Sequence, residues 1–467
     1  MLINQDTICA IATAQGGALG LIRVSGNDAI QITDKLFKSV FSKQRLTEQA
    51  PYTLSFGRIY DEEEIIDEVL VSVFHAPHSY TGENSVEITC HGSSYILQKV
   101  LQLLLENGCR LAEPGEYTQR SFLNGKMDLS QAEAVADLIA SSSRASHRVA
   151  MNQMRGGFSK ELQKLQQQLL EFASLVELEL DFSEEDVEFA DRIQLTHLAD
   201  EIERVISNLT QSFKVGNALK NGVPVAIIGE TNAGKSTLLN QLLQEDKAIV
   251  SDIHGTTRDA IEDTTIIDGQ MFRFIDTAGI RETTDQIESL GIERTFKKME
   301  QAEIILWVID ATQAIQQIKQ LATQIQPKIH NKPLLLLINK SDLIQEQELD
   351  AIKSVIKELP FTDSHILSLS AKQGKGLEEL EKQLLLSAQL PNISQNDVIV
   401  TNVRHYEALK LALASIQRVQ QGLTDGISGD FLAQDIRECI YHLSDIAGEV
   451  TTDMVLGNIF KNFCIGK

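Results

Sequence analysis

The chain has 467 residues with a formal net charge of −23, and its 43% hydrophobic and 23% charged residues are proportions typical of a globular protein. Its length predicts roughly two to four domains rather than one core, and no apolar run approaches the roughly 20 residues of a membrane helix, which argues against a membrane transporter. The acidic charge argues against non-specific coating of nucleic acid, since such binding depends on cationic contacts with phosphate, but it leaves room for a local RNA-binding patch.

The amino-terminal segment, residues 1–122, is predicted to fold as a mixed α/β domain. Its opening residues include neither a basic n-region nor a long apolar h-region, so no signal peptide is expected and the predicted location is the cytoplasm. Alternating apolar residues indicate strands, and leucine and valine on one face indicate a helix over 95–105. The predicted strands cover residues 20–26, 52–60, 68–77 and 85–92.

Residues 123–218 are predicted to be helical. SQAE at 130–133 matches a capping box, in which the hydroxyl of Ser130 serves the first turn and Glu133 reaches back. An apolar stripe at helical spacing is typical of a bundle core, and it comprises Leu162, Leu165, Leu169, Phe172, Val176 and Leu180. The acidic run at 183–189 is interpreted as a helix junction or a solvated face.

An α/β domain is predicted to be inserted into this helical region. Residues 219–387 alternate strands with helices, as in a doubly wound parallel sheet, with a hairpin around Asp268 and Gly269. Residues 388–467 are again helical in pattern but too few to enclose a large core. The economical arrangement joins them to residues 123–218 as one discontinuous helical domain.

The sequence GETNAGKS at 229–236 fits the pattern GxxxxGK[ST] between an apolar strand and a helix. In such a loop the glycines let backbone N–H groups surround phosphate oxygens. Lys235 is predicted to act catalytically by neutralising the β and γ oxygens, and Ser236 is predicted to bind Mg²⁺. These features predict a P-loop that binds a nucleoside triphosphate.

Four further motifs follow in the order HGTTRD, DTAG, NKSD and SAK. Thr257 is predicted to bind Mg²⁺, Asp276 to hold the water shell of the metal, and Gly279 to donate its N–H to the γ-phosphate. The Asp342 carboxylate can accept from guanine N1–H and N2–H₂, a donor pair that adenine lacks, which selects GTP. The set resembles the translation-factor class of Ras-like GTPases. The predicted GTP-binding residues are Asn232, Ala233, Gly234, Lys235, Ser236, Thr237, Ser251, Ile253, His254, Gly255, Thr256, Thr257, Asp276, Thr277, Ala278, Gly279, Asn339, Lys340, Asp342, Ser370, Ala371 and Lys372.

The sequence allows more than one mechanism of GTP hydrolysis. Ile280 stands where the Ras-like pattern has the glutamine that orients water, so either hydrolysis is very slow or another group supplies that function. Arg281 acting in trans is one alternative, although a solvated arginine is the simpler interpretation. Another is a monovalent cation in the position of an arginine finger, with Glu288 orienting water. Oxygens for that cation are available at Asn232, Ser251, Ile253 and Thr256.

Over its whole length the chain resembles the MnmE (TrmE) family of tRNA-modifying GTPases. The specific pieces are LIRVSG (21–26), YTGENSVE (80–87), HGSSYIL (91–97), EPGEYTQRSFLNGKMDL (113–129), the inserted G domain and the terminal FCIGK. The resemblance implies a homodimer formed through a folate-binding amino-terminal domain. The reduced folate, 5,10-methylene- or 5-formyl-tetrahydrofolate, would be bound by Arg23, Glu83, Lys126 and Lys467.

The same resemblance implies the activity and the remaining ligands. K⁺ would be bound by Asn232, Ser251, Ile253 and Thr256, with Glu288 catalytic. The reaction would add an aminomethyl or carboxymethylaminomethyl group at C5 of the wobble uridine of tRNA, with an FAD-dependent partner, MnmG (GidA), in a heterotetramer or larger assembly. The alternative from a different class is a regulatory GTPase switch in ribosome assembly. This alternative is less favourable, because the roughly 300 residues outside the G domain are acidic and exceed the size of a typical RNA-binding appendage.

The last four residues, CIGK, suggest two readings. A prenylation box needs aliphatic residues and a different last residue, and Gly466 and Lys467 break that pattern. The family resemblance instead implies a tail near the folate, with Cys464 either a catalytic nucleophile or a thiol that only lines the pocket. The five cysteines are scattered without a CxxC pair, which favours free thiols in a reducing cytosol.

Overall fold

In the computed structural model of the chain, the described residues are 6–14, 16–181, 192–244, 263–275, 299–329, 332–361, 364–390, 397–450, 452–461, 463 and 466. The chain divides into two compact units, which are described separately. The first unit comprises Met1–Ala140, Ala150–Asn208 and Glu407–Lys467, and the second comprises Ser141–Val149 and Leu209–Tyr406.

A seven-stranded sheet organises the amino-terminal part of the first unit. The strand order is β3-β4-β5-β6-β2-β1-β7, and neighbouring strands are antiparallel except for the parallel pair β1 and β7. Each of the four predicted strands is present, with ends shifted by a few residues. The strands are β1 (Ile8–Ile11), β2 (Leu19–Ser25), β3 (Phe37–Ser39), β4 (Thr53–Asp61), β5 (Glu64–Phe74), β6 (Ser85–His91) and β7 (Arg110–Leu111).

One face of this sheet is covered by two helices, α1 (Ala29–Leu36) and α2 (Ser94–Glu106). Side chains that alternate along the strands, such as Ile22, Val24 and Val71, are buried against the leucines of α2. The predicted helix over 95–105 is therefore confirmed. A third helix, α3 (Glu116–Leu123), follows β7, and its Tyr117 packs on Ile8 and Ala10, which places α3 against β1.

Helices dominate the described parts of residues 129–221 and 403–461. The predicted stripe is buried in α6, where Leu169 and Phe172 are fully excluded from solvent; the side chain of Leu180 lies outside the described set. The helices are α4 (Leu129–Ala140), α5 (Arg144–Met154), α6 (Gly157–Asp181), α7 (Arg192–Asn221), and, after the second sheet, helices over Val403–Asp425, Gly429–Ala447 and Asp453–Lys461.

Helices from before and after the inserted segment contact one another within the first unit. Gln166 of α6 donates to the Ser444 hydroxyl at 3.0 Å, and Arg437 pairs with Glu177. These contacts join residues more than 250 positions apart. The prediction of one helical domain built from two separated segments is therefore confirmed.

The predicted amino-terminal cap of α4 was wrong by two residues. Asp128, not Ser130, is the cap, because its Oδ1 accepts from the backbone N–H of Gln131 at 2.9 Å. Gln131 Oε1 accepts in return from the Asp128 N–H at 3.0 Å, which is the reciprocal pair of a capping box. Ser130 lies in the first turn and donates to Asp128 Oδ1 at 2.7 Å. Serine and aspartate are comparably good caps, so the pattern alone did not decide between them.

The second unit contains a six-stranded sheet of order β13-β12-β11-β8-β10-β9. It is parallel except for the hairpin of β9 and β10, whose turn residues Asp268 and Gly269 both have positive φ, as a two-residue hairpin turn requires. This confirms both the doubly wound sheet and the hairpin. The strands are β8 (Val223–Ile228), β9 (Asp263–Ile267), β10 (Gln270–Phe274), β11 (Ile304–Asp310), β12 (Leu334–Asn339) and β13 (Ser364–Ser368).

Helices cover both faces of this sheet and give it two apolar layers. One layer contains Leu238, Leu242 and Leu380, and the other contains Trp307, Ile318 and Ile352. The helices are α8 (Lys235–Gln244), α9 (Ala314–Ile329), α10 (Glu346–Lys357) and α11 (Leu377–Ala388), and the later helices at 403–425, 429–447 and 453–461 are α12, α13 and α14.

The architecture thus comprises a mixed α/β amino-terminal domain, a discontinuous helical domain and an inserted α/β domain with a P-loop. The four predicted domain boundaries remain predictions. Across the described ranges, every helix is either too short or too polar to cross a membrane.

Candidate functional site

The first candidate site is the loop between β8 and α8 in the second unit. Gly229 and Gly234 have φ values of +140° and +97°, which side chains rarely adopt. A Cβ atom on Gly229 would lie 2.2 Å from the Val308 carbonyl oxygen, and one on Gly234 would lie 2.1 Å from Asn339 Nδ2. Both positions therefore need glycine for backbone conformation and for space.

Lys235 begins α8 and folds back over this loop. Its Nζ donates to the carbonyl oxygens of Gly229 at 2.8 Å and Glu230 at 2.6 Å. The ammonium is thereby held at the amino-terminal end of a helix, where free N–H groups and the helix dipole favour an anion. Ser236 and Thr237 follow in the first turn, and Asn232 is exposed at the top of the loop with φ +64°.

Asn339 ties the loop to the NKSD and SAK motifs. This residue is 2% exposed; its Nδ2 donates to the Ala233 carbonyl at 2.8 Å, and its Oδ1 accepts from the Ala371 N–H at 2.9 Å. One buried amide therefore fixes three separate segments. Ser370, with its backbone N–H paired to the Lys375 carbonyl, lies on the same segment as Ala371.

The predicted guanine-reading residues lie beside this link. Asp342 Oδ2 accepts from Gln373 Nε2 at 3.1 Å, and both side chains are exposed. Lys340 has φ +61°, and its Nζ pairs with Asp310 Oδ2 at 2.6 Å. Burial raises the pKa of the Asp310 carboxyl, but hydrogen bonds from Lys340 and Thr312 and the charge of Lys340 together outweigh it, so the pKa lies below its ordinary value. Lys372 is exposed in the same loop.

Several predicted residues fall outside the described ranges. They are Ser251, Ile253, His254, Gly255, Thr256, Thr257, Asp276, Thr277, Ala278, Gly279 and Glu288 of the nucleotide set, Ile280 and Arg281, and Cys464 and Lys467 of the tail. Their roles stay predictions. Of the residues predicted to bind Mg²⁺ or K⁺, only Ser236 and Asn232 lie in the described part of the chain. The hydroxyl of Ser236 and the amide oxygen of Asn232 are the kind of ligand that such cations prefer.

The second candidate site lies in the first unit, around Arg23 of β2. Arg23 Nε and Nη2 donate to Glu87 Oε1 at 2.9 and 2.7 Å, a cross-strand pair set by the register of β2 and β6. The guanidinium carbon lies 5.6 Å from the ring centroid of Tyr80 and 5.7 Å from that of Tyr117. Nη1 donates to the carbonyl oxygen of Gly466 at 3.4 Å. The chain tail therefore reaches the predicted folate arginine.

Glu83 lies in the same region and is held from within the protein. Its Oε2 accepts from the Ser25 hydroxyl at 2.8 Å, and both oxygens accept from Arg120 Nη1 at 3.2 Å. Ser25 is two residues from Arg23 on β2, and Tyr80 belongs to the same loop as Glu83. The site thus combines a carboxylate, a guanidinium and a partly exposed aromatic ring.

Lys126 is next to this loop. Its Nζ donates to the Pro77 carbonyl at 2.9 Å, and a Cβ atom on Gly82 would lie 3.4 Å from Lys126 Cγ. The structure therefore brings together three of the four predicted folate residues, while Lys467 lies outside the described ranges. The set fits a reduced folate in its chemistry, because it pairs a hydrogen-bond acceptor for the pterin edge with cations for the carboxylate tail.

A partly buried charge cluster supports Glu83. Hydrogen bonds from Arg110 hold the pKa of Asp6 below its ordinary value. Burial raises the pKa of Glu116, but hydrogen bonds from Arg110, the Glu113 backbone and Arg120, with the charge of Arg120, together outweigh it and leave the pKa lowered. The cluster is therefore ionised at neutral pH, with two guanidinium groups among its carboxylates.

Sequence reasoning assigned no role to three residues of this site, Glu87, Tyr80 and Arg120, although each lies inside a motif that carried the resemblance. The partner of Arg23 could have been found from strand register, because Glu87 lies directly opposite it. Arg120 and Glu83 are 37 positions apart, and no local pattern joins them.

The cysteines in the described part of the chain, Cys9, Cys90, Cys109 and Cys439, are buried free thiols, as predicted. Burial raises the pKa of Cys90 to about 11 and that of Cys439 to about 12. Neither thiol is a nucleophile at neutral pH, since the thiolate is the reactive form.

Comparisons with known proteins agree with this architecture. The family model described as "GTP-binding protein TrmE N-terminus" matches residues 7–126, and the model "MnmE helical domain" matches residues 129–464. The tRNA modification GTPase MnmE of Bacteroides thetaiotaomicron is 68% identical over 465 residues, covering 100% of both chains. The protein of the same name from Flavobacterium johnsoniae is 53% identical over 470 residues, also covering 100% of both.

Among solved structures, a single-residue variant of Era from Aquifex aeolicus bound to GDP·AlF4⁻ is 29% identical. It matches 41% of this chain and 66% of its own length, with a TM-score of 0.27.

Proposed function

The chain belongs to the MnmE family of tRNA modification GTPases, and on this premise we propose that it couples GTP hydrolysis to modification of a wobble uridine. The product would carry an aminomethyl or carboxymethylaminomethyl group at C5 of that uridine. An FAD-dependent partner of the MnmG (GidA) type would join it in a heterotetramer or larger assembly in the cytoplasm. The observation that carries the proposal is the approach of Gly466 to Arg23, 3.4 Å between Nη1 and the carbonyl oxygen.

The nucleotide site supports the GTP half of this proposal. Lys235 would neutralise the β and γ oxygens, and the first turn of α8 would bind phosphate through its N–H groups. Ser236 and Thr257 would bind Mg²⁺, with Asp276 holding its water shell. Asp342 would accept from the guanine edge, and the rigid link through Asn339 keeps that edge in register with the phosphate loop.

We further propose that K⁺ and Glu288 replace the missing glutamine. Asn232, Ser251, Ile253 and Thr256 would supply oxygens to K⁺, which adds positive charge where an arginine finger acts in other GTPases. Asn232 supports this proposal, since it stands exposed with φ +64°, a conformation that asparagine tolerates better than most residues.

The first unit supports the folate half. A bound reduced folate would supply the one-carbon unit at C5 of the uridine. Glu83 would accept from the pterin N–H groups, while Arg23, Lys126 and Lys467 would neutralise the carboxylate tail. Cys464 would stand near the one-carbon unit, either as a nucleophile or as part of the pocket wall.

A homodimer formed through the first unit completes the proposal. Leu54 of β4 and Leu70 of β5 point to the sheet face opposite α2, and they are 62% and 39% exposed. Phe41 and Tyr52 nearby are 85% and 66% exposed. Apolar side chains exposed together on one surface commonly mark a protein interface.

The decisive experiment is reconstitution with the flavoprotein, tRNA, methylene-tetrahydrofolate and GTP, followed by nucleoside analysis of the wobble position. The expected result is a C5-modified uridine that depends on GTP and folate. Failure to modify tRNA, with GTPase activity intact and no folate binding, would favour the ribosome-assembly switch instead. A matched control is the Lys235→Ala variant, which should lose modification together with GTP binding.

A further inference from the structure

Arg120 is a buried guanidinium at the back of the second candidate site. Its side chain is 6% exposed, and each of its nitrogens is hydrogen bonded. Nε and Nη2 donate to Glu116 Oε1 at 3.3 and 2.9 Å, and Nη2 also donates to Asp6 Oδ1 at 2.7 Å. Nη1 donates to the Asp6 carbonyl at 2.8 Å and to both oxygens of Glu83 at 3.2 Å.

Glu83 differs from the neighbouring carboxylates in its dependence on Arg120. Asp6 and Glu116 each have a second guanidinium, Arg110, within hydrogen-bond distance, whereas Glu83 forms its ion pair with Arg120. The Glu83 side chain is 13% exposed, so little water is available to stabilise its charge. Removal of one partner from a buried charged pair leaves the other charge uncompensated, which is costly.

We propose that Arg120 is the positioning residue of the reduced-folate site, holding the Glu83 carboxylate by charge and hydrogen bonds and aiming it at the pterin edge. This inference rests on the proposed folate function. Arg120 lies behind the carboxylate and is not expected to touch the ligand. An ionised carboxylate has about four acceptor directions, so bonds from Ser25 and Arg120 leave capacity for pterin N–H donors. A protonated Glu83 would present an O–H donor to those same donors and repel them.

The charged and titratable groups around Glu83 come from several elements. They are Arg120 and Glu116 of α3, Asp6 before β1, Arg110 of β7, Arg23 of β2, Glu87 of β6, Tyr80 in the preceding loop, Tyr117 of α3, and Lys126 after α3. Without Arg120, Glu83 would face Asp6 and Glu116 with less compensation. Both burial and like charges favour the protonated form of a carboxyl group. As the pH falls, a variant without Arg120 should therefore lose folate binding at a higher pH than the wild type does.

The test is a titration of 5-formyl-tetrahydrofolate against the full chain between pH 4 and 8.5. For Arg120→Gln the expected result is at least about a tenfold loss of affinity at pH 7, because the carboxylate loses the donor that aims it. The midpoint of the pH dependence should also rise by about one unit or more relative to the wild type. Arg120→Lys keeps the charge and should give an intermediate midpoint. If Arg120→Gln does not fold, the lysine variant decides the question, and wild-type affinity at pH 7 together with a wild-type midpoint would overturn the inference.

Arg110→Gln is the matched control. The hydrogen bonds recorded for Arg110 go to Asp6, Glu116 and the Leu111 carbonyl. This variant removes the same charge from the same cluster without touching Glu83, so it should destabilise the fold but keep the wild-type pH midpoint. An equal shift in both variants would show a merely structural role for Arg120 and overturn the inference.

Two outcomes separate this inference from the proposed function. If the wild type does not bind the folate, both the folate function and the role of Arg120 are refuted. If the wild type binds and Arg120→Gln binds with an unchanged pH midpoint, the folate function stands and the positioning role alone is refuted.

Discussion

Arg23 donates through Nη1 to the carbonyl oxygen of Gly466 at 3.4 Å, which joins two residues 443 positions apart. Gly466 has φ +93°, and a Cβ atom there would lie 2.7 Å from the Ile11 carbonyl oxygen. Gly466 therefore lies against the end of β1 and the following residue Ala12. Both its backbone conformation and the lack of space for a Cβ atom favour glycine. Gly466 is thus part of the second candidate site.

Removal of residues 464–467 should weaken binding of 5-formyl-tetrahydrofolate by at least about tenfold, or about 1.4 kcal/mol. The deletion removes the backbone that contacts Arg23 and the predicted charge of Lys467. Calorimetric titration of the truncated and full chains measures the effect. Lys461→Ala, which removes an exposed positive charge from the end of α14, is the control and should bind normally. Equal affinity of the truncated and full chains would contradict a role for the tail.

The GTPase rate should be more than about tenfold higher in KCl than in NaCl at equal ionic strength, which corresponds to about 1.4 kcal/mol of transition-state free energy. The reason is the proposed K⁺ beside the phosphates, for which Asn232 supplies one oxygen. Phosphate release measures the rate. Asn232→Ala should remove the difference in rate between the two salts. Asn232→Asp keeps an oxygen and tolerates the positive φ, so it should retain that difference. Equal wild-type rates in both salts would take the cation out of the mechanism.

Asp342→Asn should weaken GTP binding by between about tenfold and a hundredfold, since a hydrogen bond to a charged group contributes about 1.5–3 kcal/mol. The variant should bind xanthosine triphosphate better than the wild type does, because the introduced amide can donate to the C2 carbonyl of xanthine. Fluorescent-nucleotide competition measures both affinities. Asp350→Asn, an exposed position on α10, carries the same charge change and should behave as wild type. An unchanged nucleotide preference would refute the guanine assignment.

Gly234→Ala should weaken GTP binding far more than Gly374→Ala. Both glycines have positive φ, +97° and +69°, so both variants incur the strain of about 1–2 kcal/mol for that conformation. A new Cβ meets nothing within 4 Å at Gly374 but approaches Asn339 Nδ2 to 2.1 Å at Gly234. Nucleotide affinity and thermal unfolding distinguish the two effects. Similar losses in both variants would show that strain, and not the clash with Asn339, dominates.

The first unit should lose stability in acid. The folded pKa values of Asp6 and Glu116 lie below the ordinary values of 3.8 and 4.5. Their stabilisation is therefore complete above those ordinary values and is lost as the pH falls through the lower folded ones. Hydrogen exchange of the β1 and β7 amides between pH 6 and pH 3 measures this loss, because Trp307 lies in the second unit and would report on the wrong core. Glu116→Gln should flatten the profile, and an equal slope in wild type and variant would contradict the assignment.

Most of the fold could be predicted because its signals are local. The buried strands β8, β11 and β12 are continuous apolar runs, and the stripe from Leu162 to Val176 repeats at helical spacing. The cap of α4 was misplaced because two good capping residues stand two positions apart, and the choice between them depends on the side chain of Gln131. Such a choice is made by three-dimensional geometry that residue spacing does not encode.

The site was predicted less completely for the same physical reason. Arg23, Glu83 and Lys126 followed from motif resemblance, which carries residue identity but no partners. The ion pair of Arg23 with Glu87 depends on strand register, and the pairing of Glu83 with Arg120 depends on how α3 packs against β1. Long-range contacts of this kind leave no periodic trace in a sequence.

The split helical domain also affects how the polypeptide is made. The apolar face of α6 is complete once Asp181 has been synthesised, but its partner helix α13 begins only at Gly429, roughly 250 residues later. At about 5–20 residues per second, translation would leave that face uncovered for roughly 12–50 seconds. Nascent chains should therefore depend on ribosome-associated chaperones during this interval, and slowed elongation downstream of α7 should increase aggregation.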